Sequence, residues 1–271
     1  MPFRNIIDQH THTDNSFDGH HAVAYMCEVA VKKGIRAVTF TDHLELDAFY
    51  ERDFDTTARQ AFFEISRARS AFTGELIVGV GAEFGEAVYV KELSEQVMNS
   101  YRYDFVIGSI HNLPGRDDFC DMKYSPDDNL YPLLDEYFDW ELKMAQWGKF
   151  DTLAHLTYPL RYIVGDYGIE IDMSRYTEII DEILSAIKHN RVALEINTSG
   201  YRQPYGMPFP YESIVRRYRE LGGELITLGS DAHFAEHLGM GIDKGYEIAL
   251  RCGFDKVALY QDREPILIPI A

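Results

Sequence analysis

The sequence lacks the features that define several large classes of protein. It contains three cysteines, Cys27, Cys120 and Cys252, far apart in the chain. This odd, scattered set forms neither a disulfide framework nor a C-x-x-C zinc motif. Basic residues are also scarce, because 26 lysines and arginines face 44 aspartates and glutamates, a formal net charge of −18. Nucleic acid is therefore not expected as a partner, since binding its backbone depends on clustered lysine and arginine. A small phosphate ester held by a few local cations remains compatible with this charge.

Long apolar runs are absent as well. None approaches the roughly 18 residues of a membrane-spanning helix, so we expect no membrane partner. The first residues also lack the apolar core of a signal peptide, which predicts a cytoplasmic location. What the chain does have is an apolar content of 46%, enough for a packed core. Its length suits a single α/β barrel of about 250 residues, and we expect residues 1–271 to form one domain.

Short apolar runs alternate with segments of helical periodicity along the chain. The predicted strands are residues 6–12, 36–41, 76–82, 105–110, 152–154, 192–197 and 225–229. Strict alternation of this kind predicts parallel strands joined by helical crossovers. An open doubly wound sheet and a closed barrel both satisfy the pattern. Nearly every strand is followed by a polar residue, and a closed barrel brings all these ends to one rim. The sequence therefore favours an α/β fold of the TIM-like (β/α)7 type, with its site at the C-terminal rim of the strands.

Two histidines at the end of the first strand begin a candidate metal site. His10 and His12 are two residues apart, so an extended strand points both imidazoles to the same face. Alone, this H-x-H pair is also compatible with two surface histidines. Six of the chain's ten histidines, however, lie at predicted strand ends, together with three carboxylates. The full set of candidate ligands is His10, His12, Asp18, His43, Glu83, His111, His155, Asp231 and His233.

These nine side chains offer nitrogen and oxygen donors without a thiolate. They exceed what one tetrahedral ion needs, and they suit two or three divalent ions with Glu83 or another carboxylate as a bridge. Zinc, iron and manganese all accept such ligands, so the metal is left open. Individual residues have other interpretations: Glu83 could cap a helix, and Asp42 could orient His43 instead of binding metal.

Several short motifs resemble those of a known family. They are D-x-H-T-H-T at 8–13, T-D-H at 41–43, G-A-E at 81–83, S-I-H at 109–111, A-H at 154–155 and S-D-A-H at 230–233. In this order they resemble the PHP superfamily, which joins polymerase-associated and histidinol-phosphatase domains. The length and the acidic balance look like the histidinol-phosphate phosphatase branch. The resemblance implies a distorted barrel of seven strands with a trinuclear metal site.

The resemblance also implies how the ligands are shared among three ions. One ion would take His10, His12, Glu83 and Asp231, the second Glu83, His111 and His155, and the third Asp18, His43 and His233. Some relatives carry histidine at the position of Asp18, and His20 and His21 lie close to it in the sequence.

The chemistry that follows is hydrolysis of a phosphate monoester. Clustered divalent ions lower the pKa of bound water and stabilise charge on the attacked phosphorus. We therefore expect a metal-dependent phosphomonoesterase that uses a metal-bound hydroxide, with Glu83, Asp231 and His233 as catalytic residues. Histidinol phosphate is the expected substrate, cleaved to histidinol and phosphate in histidine biosynthesis. The alternatives are a nuclease or nucleotide phosphatase of the same superfamily, amidohydrolase-type chemistry, and a non-catalytic metal-binding or regulatory protein. The sequence does not indicate an oligomeric state.

An acidic protein needs local cations to hold a phosphate dianion. Arg116, Arg161 and Arg202 follow the predicted fourth, fifth and sixth strands, and arginine binds phosphate oxygens in a bidentate manner. A surface salt bridge is the alternative for each, and most of all for Arg116. Three aromatic residues of the loops could face an imidazole or could simply pack in the core: Phe119, Tyr158 and Tyr205.

Overall fold

Parallel strands wind around a nearly closed barrel in the computed structural model, which describes residue 3 and residues 5–270. The strands of the barrel are β1 (Ile7–Thr11), β2 (Ala37–Phe40), β3 (His43–Glu45), β4 (Ile77–Gly85), β5 (Phe105–Ser109), β6 (Thr152–Leu153), β7 (Ala193–Asn197) and β8 (Ile226–Gly229). Seven of them follow one another in the order β1-β2-β4-β5-β6-β7-β8, and β3 pairs with β4. The backbone N–H of Asp231 donates to the His10 carbonyl at 2.7 Å, so the end of β8 meets β1. The predicted α/β barrel is confirmed.

The helices cover the outside of this barrel. They are α1 (Val23–Lys33), α2 (Phe54–Ala71), α3 (Lys91–Ser100), α4 (Tyr131–Trp147), α5 (Thr177–His189), α6 (Glu212–Glu220) and α7 (Ile242–Arg251). Each buries an apolar face, as α4 does with Leu134 and Phe138. Gly148 ends α4 in the left-handed conformation, with φ at 59°, which glycine adopts without steric cost. No helix within 5–270 is long and apolar enough to cross a membrane.

The second predicted strand is followed in the structure by a short strand that the sequence did not indicate. β2 ends at Phe40, and β3 resumes the strand at His43, where it pairs with Glu83 on β4. Asp42 holds the break in place, because its carboxylate accepts the backbone N–H and the hydroxyl of Thr13 and the hydroxyl of Ser16. Glu83 therefore lies within β4, paired on both sides, and not beyond its end as the sequence indicated.

A C-terminal hairpin covers the opposite end of the barrel. Its strands are β9 (Lys256–Gln261) and β10 (Glu264–Pro269), which pair in antiparallel fashion. The Gln9 side chain points from β1 to the hairpin, where it bonds the carbonyl of Ala258 and the N–H of Tyr260. The Tyr260 hydroxyl donates to the carbonyl of Asp151 at 3.1 Å. The hairpin thus closes the N-terminal end of the strands, and the cavity described next lies at the other end.

Candidate metal centre

The nine candidate ligands come together at the C-terminal rim of the strands. Seven of them line one cavity: Asp18, His43, Glu83, His111, His155, Asp231 and His233. His10 and His12 lie directly beneath it and are fully buried. The barrel geometry explains the convergence, since the C-terminal ends of parallel strands in a closed barrel all face one rim.

One carboxylate oxygen of Glu83 faces the ligands of β1. Its Oε2 lies 3.1 Å from His10 Nε2 and 3.5 Å from His12 Nε2. Asp231 approaches the same two rings, with Oδ1 3.8 Å from His10 Nε2 and 3.4 Å from His12 Nε2. His43 Nδ1 also lies 3.1 Å from Glu83 Oε2. These donors surround one point at the floor of the cavity.

The other carboxylate oxygen of Glu83 faces a different pair of histidines. Its Oε1 lies 3.0 Å from His155 Nε2 and 3.3 Å from His111 Nε2. The two ring nitrogens are 3.4 Å apart. The carboxylate of Glu83 thus separates two groups of donors, which is the arrangement that a bridging ligand requires.

A third group of donors lies nearer the mouth of the cavity. His233 Nε2 is 3.0 Å from Asp18 Oδ2, and His43 Nε2 is 3.8 Å from Asp18 Oδ1. The His12 ring stacks between those of His43 and His233, with centroid distances of 4.2 and 4.1 Å. Burial and the neighbouring His233 and His43 lower the pKa of His12 to about 3, so its ring is neutral and able to bind a cation.

The electrostatics of the site favour cations. Burial opposes ionisation of Glu83 and Asp231, but the surrounding histidines hold the pKa of both carboxyls well below the usual range. Burial also lowers the pKa of His43, but the carboxylates of Glu83 and Glu45 outweigh it and raise the value to about 9. Protons on such histidines occupy positions that metal ions would otherwise take.

Unsatisfied atoms provide a direct test of whether the residues fit metal ions. Several buried nitrogen and oxygen atoms of the candidate ligands make no hydrogen bond to any described residue, although buried polar atoms normally do. They are His12 Nε2, His43 Nδ1, His233 Nε2 and Asp18 Oδ1. Since they point toward one another within the cavity wall, divalent metal ions fit this donor set.

Two glutamates that sequence reasoning missed orient the ligands from behind. Glu195 on β7 accepts a hydrogen bond from His10 Nδ1 at 2.7 Å. Glu45 on β3 has its Oε1 3.3 Å from Nδ1 of both His43 and His111. A charged residue within the apolar strand 192–197 is the signal that could have identified Glu195. Glu45 carries a signal too, because it follows His43 at the same spacing of two that links His10 and His12.

Two of the three predicted arginines line the cavity. Arg161 and Arg202 both contribute to its wall. Arg202 donates from Nη2 to the Asp231 carbonyl at 3.0 Å, and its Nη1 has no hydrogen-bond partner among the described residues. Arg116 is not brought to the cavity: it is exposed and pairs with Glu136 at 2.7 Å. We therefore correct the expected substrate-binding set by leaving Arg116 out, because its loop directs the side chain toward α4.

The aromatic candidates divide in a similar way. Tyr158 lines the cavity, with its ring centroid 4.9 Å from that of His155. Phe119 is buried in the main hydrophobic core, and Tyr205 stacks on Phe209 at 4.8 Å in a smaller cluster. Neither of these two lines the cavity, so core packing accounts for them. His237, which was not among the sequence candidates, also lines the cavity.

The fold and the donor set define a barrel protein with a site for divalent metal ions, and comparison with known families agrees. Residues 8–199 match the model of the PHP domain. Because the match covers most of the chain, the protein belongs to the PHP family. The resemblance stated from the motifs is thereby confirmed.

Relatives are similar over nearly their whole length. A probable histidinol-phosphatase of Thermotoga maritima is 31% identical over 255 residues, which are 94% of this chain and 95% of the relative. One of Clostridium acetobutylicum is 29% identical over 259 residues, covering 93% and 96%. A crystal structure of histidinol phosphate phosphatase from Lactococcus lactis, complexed with zinc, L-histidinol and phosphate, matches with a TM-score of 0.81. That protein is 26% identical, with 97% of this chain and 99% of the other covered.

Proposed function

We propose that this protein hydrolyses histidinol phosphate to histidinol and phosphate, as a metal-dependent phosphomonoesterase of histidine biosynthesis. The observation that carries the proposal is the placement of Glu83, whose two oxygens face separate histidine groups. Arg161 and Arg202 lie on the wall of the same cavity. The similarity to histidinol-phosphatases over most of the chain supports the choice of substrate.

The proposed centre holds two to three divalent ions, with zinc, iron and manganese all compatible. The ligand groups are His10, His12 and Asp231 with Glu83 Oε2, then His111 and His155 with Glu83 Oε1, then Asp18, His43 and His233. When bound, such ions lower the pKa of a coordinated water so that it attacks as hydroxide, and they neutralise charge that develops on the phosphoryl group. Glu83, Asp231 and His233 are the proposed catalytic residues, because each faces both the donor cluster and the open cavity.

The protein's own side chains would bind and orient the phosphate. Arg161 forms no ion pair with a described carboxylate, and Arg202 keeps Nη1 without a partner. Guanidinium groups in this state match phosphate oxygens in charge and in geometry. Tyr158 donates to Asp118 at 3.1 Å, so Asp118 is a further acidic group held at the cavity wall. This mixture of two arginines and several carboxylates suits a small phosphate ester that carries an amine.

Metal analysis tests the centre. We expect more than one transition-metal ion per chain in protein prepared without chelator, because the cavity brings together more than one group of three possible ligands, such as His10, His12 and Glu83, and His12, His43 and His233. The measurement is elemental analysis of the purified protein alongside its activity. At most one equivalent of metal in a fully active preparation would contradict the trinuclear proposal.

Substrate comparison tests the reaction. With metal-loaded protein, kcat/KM for histidinol phosphate should exceed the values for nucleoside monophosphates and for phosphotyrosine. Glu83→Gln protein prepared in parallel serves as the control for contaminating phosphatase. A clear preference for a nucleotide or for phosphotyrosine would assign the site to a different phosphoesterase.

A further inference from the structure

The strand β7 supplies no candidate metal ligand, yet two of its side chains reach the ligands of other strands. Glu195 and Asn197 are two residues apart and point to the same side of the strand. From this geometry we infer that Glu195 is a positioning residue, which sets the metal-binding tautomer of His10 and holds the backbone of His155. The inference rests on the metal centre of the proposed function and not on its substrate.

The first contact concerns the proton of His10. An ionised carboxylate is an acceptor only, and Glu195 Oε1 lies 2.7 Å from His10 Nδ1. A hydrogen on Nδ1 satisfies this contact, and Nε2 is then the ring nitrogen available to a metal ion. That nitrogen is the one that points into the donor cluster, 3.1 Å from Glu83 Oε2. A carboxylate behind a metal-binding histidine fixes the tautomer and raises the basicity of the ligand.

The second contact concerns the backbone of His155. This residue has φ at +20°, outside the regions that residues other than glycine favour. Its N–H donates to Glu195 Oε2 at 2.8 Å, and Asn197 Nδ2 donates to the same oxygen at 3.2 Å. Strained backbone persists where surrounding contacts over-determine it. One carboxylate thus joins a ligand of the first donor group to a ligand of the second.

The fold keeps space for this pair. Glu195 and His10 are each 1% exposed. On the neighbouring strand β8, a Cβ atom at Gly229 would overlap both the His10 Cβ and the Glu195 carboxylate. A buried carboxylate is costly unless it is paired, and here both of its oxygens have partners. Glycine at this position therefore admits the carboxylate to a place where it serves two ligands at once.

Replacement of Glu195 by glutamine changes the hydrogen bonds of the side chain but not its size, so it tests the two contacts apart from packing. Glu195 uses both oxygens as acceptors, whereas an amide offers one acceptor and one donor. If the amide nitrogen faces His10, the ring must move its hydrogen to Nε2, the nitrogen that metal requires. If it faces His155 instead, two donors oppose each other at the strained residue. Glu195→Gln therefore disturbs the ligands in either orientation while the size of the side chain is unchanged.

The test measures zinc affinity of the full chain by chelator competition, with Glu195→Gln compared with wild type. We expect a loss of about ten- to a hundredfold in zinc affinity, the usual effect of removing such a partner. Glu141→Gln is the matched control, because Glu141 on α4 is equally buried and makes no hydrogen bond to a described residue. Its zinc affinity should equal that of wild type. A Glu195→Gln affinity within twofold of wild type overturns the positioning role.

A measurement on the wild-type protein covers the case in which Glu195→Gln does not fold. Nitrogen NMR of zinc-loaded protein labelled on histidine reports the tautomer of His10 directly. We expect Nδ1 protonated and Nε2 bound to zinc, and metal bound at Nδ1 would overturn the inference. Failure of the wild type to bind zinc, iron or manganese would instead overturn the metal centre itself, so the two failures are distinguishable.

Discussion

Glu83→Gln is expected to lower kcat at least about a hundredfold, beyond the usual effect of removing an outer partner of a metal ligand. The reason lies in the two oxygens of the carboxylate. Oε2 faces His10 and Oε1 faces His155, so the side chain contacts two donor groups at once. An amide keeps the shape but loses the negative charge and one acceptor. The metal content of the variant should fall together with its activity.

The experiment combines steady-state kinetics with elemental analysis of the same preparations. Glu141→Gln is again the control, since it makes the same substitution at a fully buried glutamate outside the donor cluster. Burial raises the pKa of Glu141 to about 8, so this residue is already largely uncharged at neutral pH. Its activity and metal content should match those of wild type. If Glu83→Gln kept full metal content and near-normal turnover, Glu83 would not be the bridge.

Arg161→Ala and Arg202→Ala are each expected to weaken binding of substrate and of inorganic phosphate by about ten- to a hundredfold. This range corresponds to the roughly 1.5–3 kcal/mol of a hydrogen bond to a charged group. Both residues line the cavity. Arg202 is anchored through Nη2 to the Asp231 carbonyl, which leaves Nη1 free to meet a phosphate oxygen. KM and the inhibition constant of phosphate are the quantities to measure.

Metal content must be measured in parallel, because Arg202 contacts the backbone of a candidate ligand. Arg116→Ala provides the matched control: Arg116 is an arginine of a neighbouring loop that pairs with Glu136 at the surface. It should change neither KM nor phosphate inhibition. Changes of less than about twofold in both cavity variants, well short of the tenfold step of about 1.4 kcal/mol, would show that these arginines do not hold the phosphate.

The barrel and the family could be predicted from the sequence because both depend on local patterns. Apolar runs that alternate with helical periodicity predict parallel strands with crossovers. The spacing of His10 and His12 places two imidazoles on one face of a strand, whatever the rest of the fold does. The position of candidate ligands at strand ends then predicts a common rim. Each of these inferences uses residues that are neighbours in the sequence.

The exact ends of the strands could not be predicted from the sequence. The sequence indicated that the third predicted strand ends before Glu83, whereas β4 continues to Gly85. The extension pairs with β5 on one side and on the other with β3, a short strand that follows the break at Asp42. Three residues have too little periodicity to be recognised as a strand. Asp42 was considered as a partner of His43, but its carboxylate holds Thr13 and Ser16.

Contacts across the barrel were decided by the tertiary structure alone. Glu195 and His10 are 185 positions apart, and no local pattern links them. They meet because β8, which separates β7 from β1 in the sheet, carries Gly229 at the level of their side chains. The loop arginines illustrate the same limit, since Arg161 and Arg202 face the cavity and Arg116 turns toward α4. The sequence by itself thus predicted parallel strands with helical crossovers and a set of candidate ligands, because period and spacing are local. Which side chains touch depended on strand register, barrel closure and loop direction, and these are properties of the folded chain.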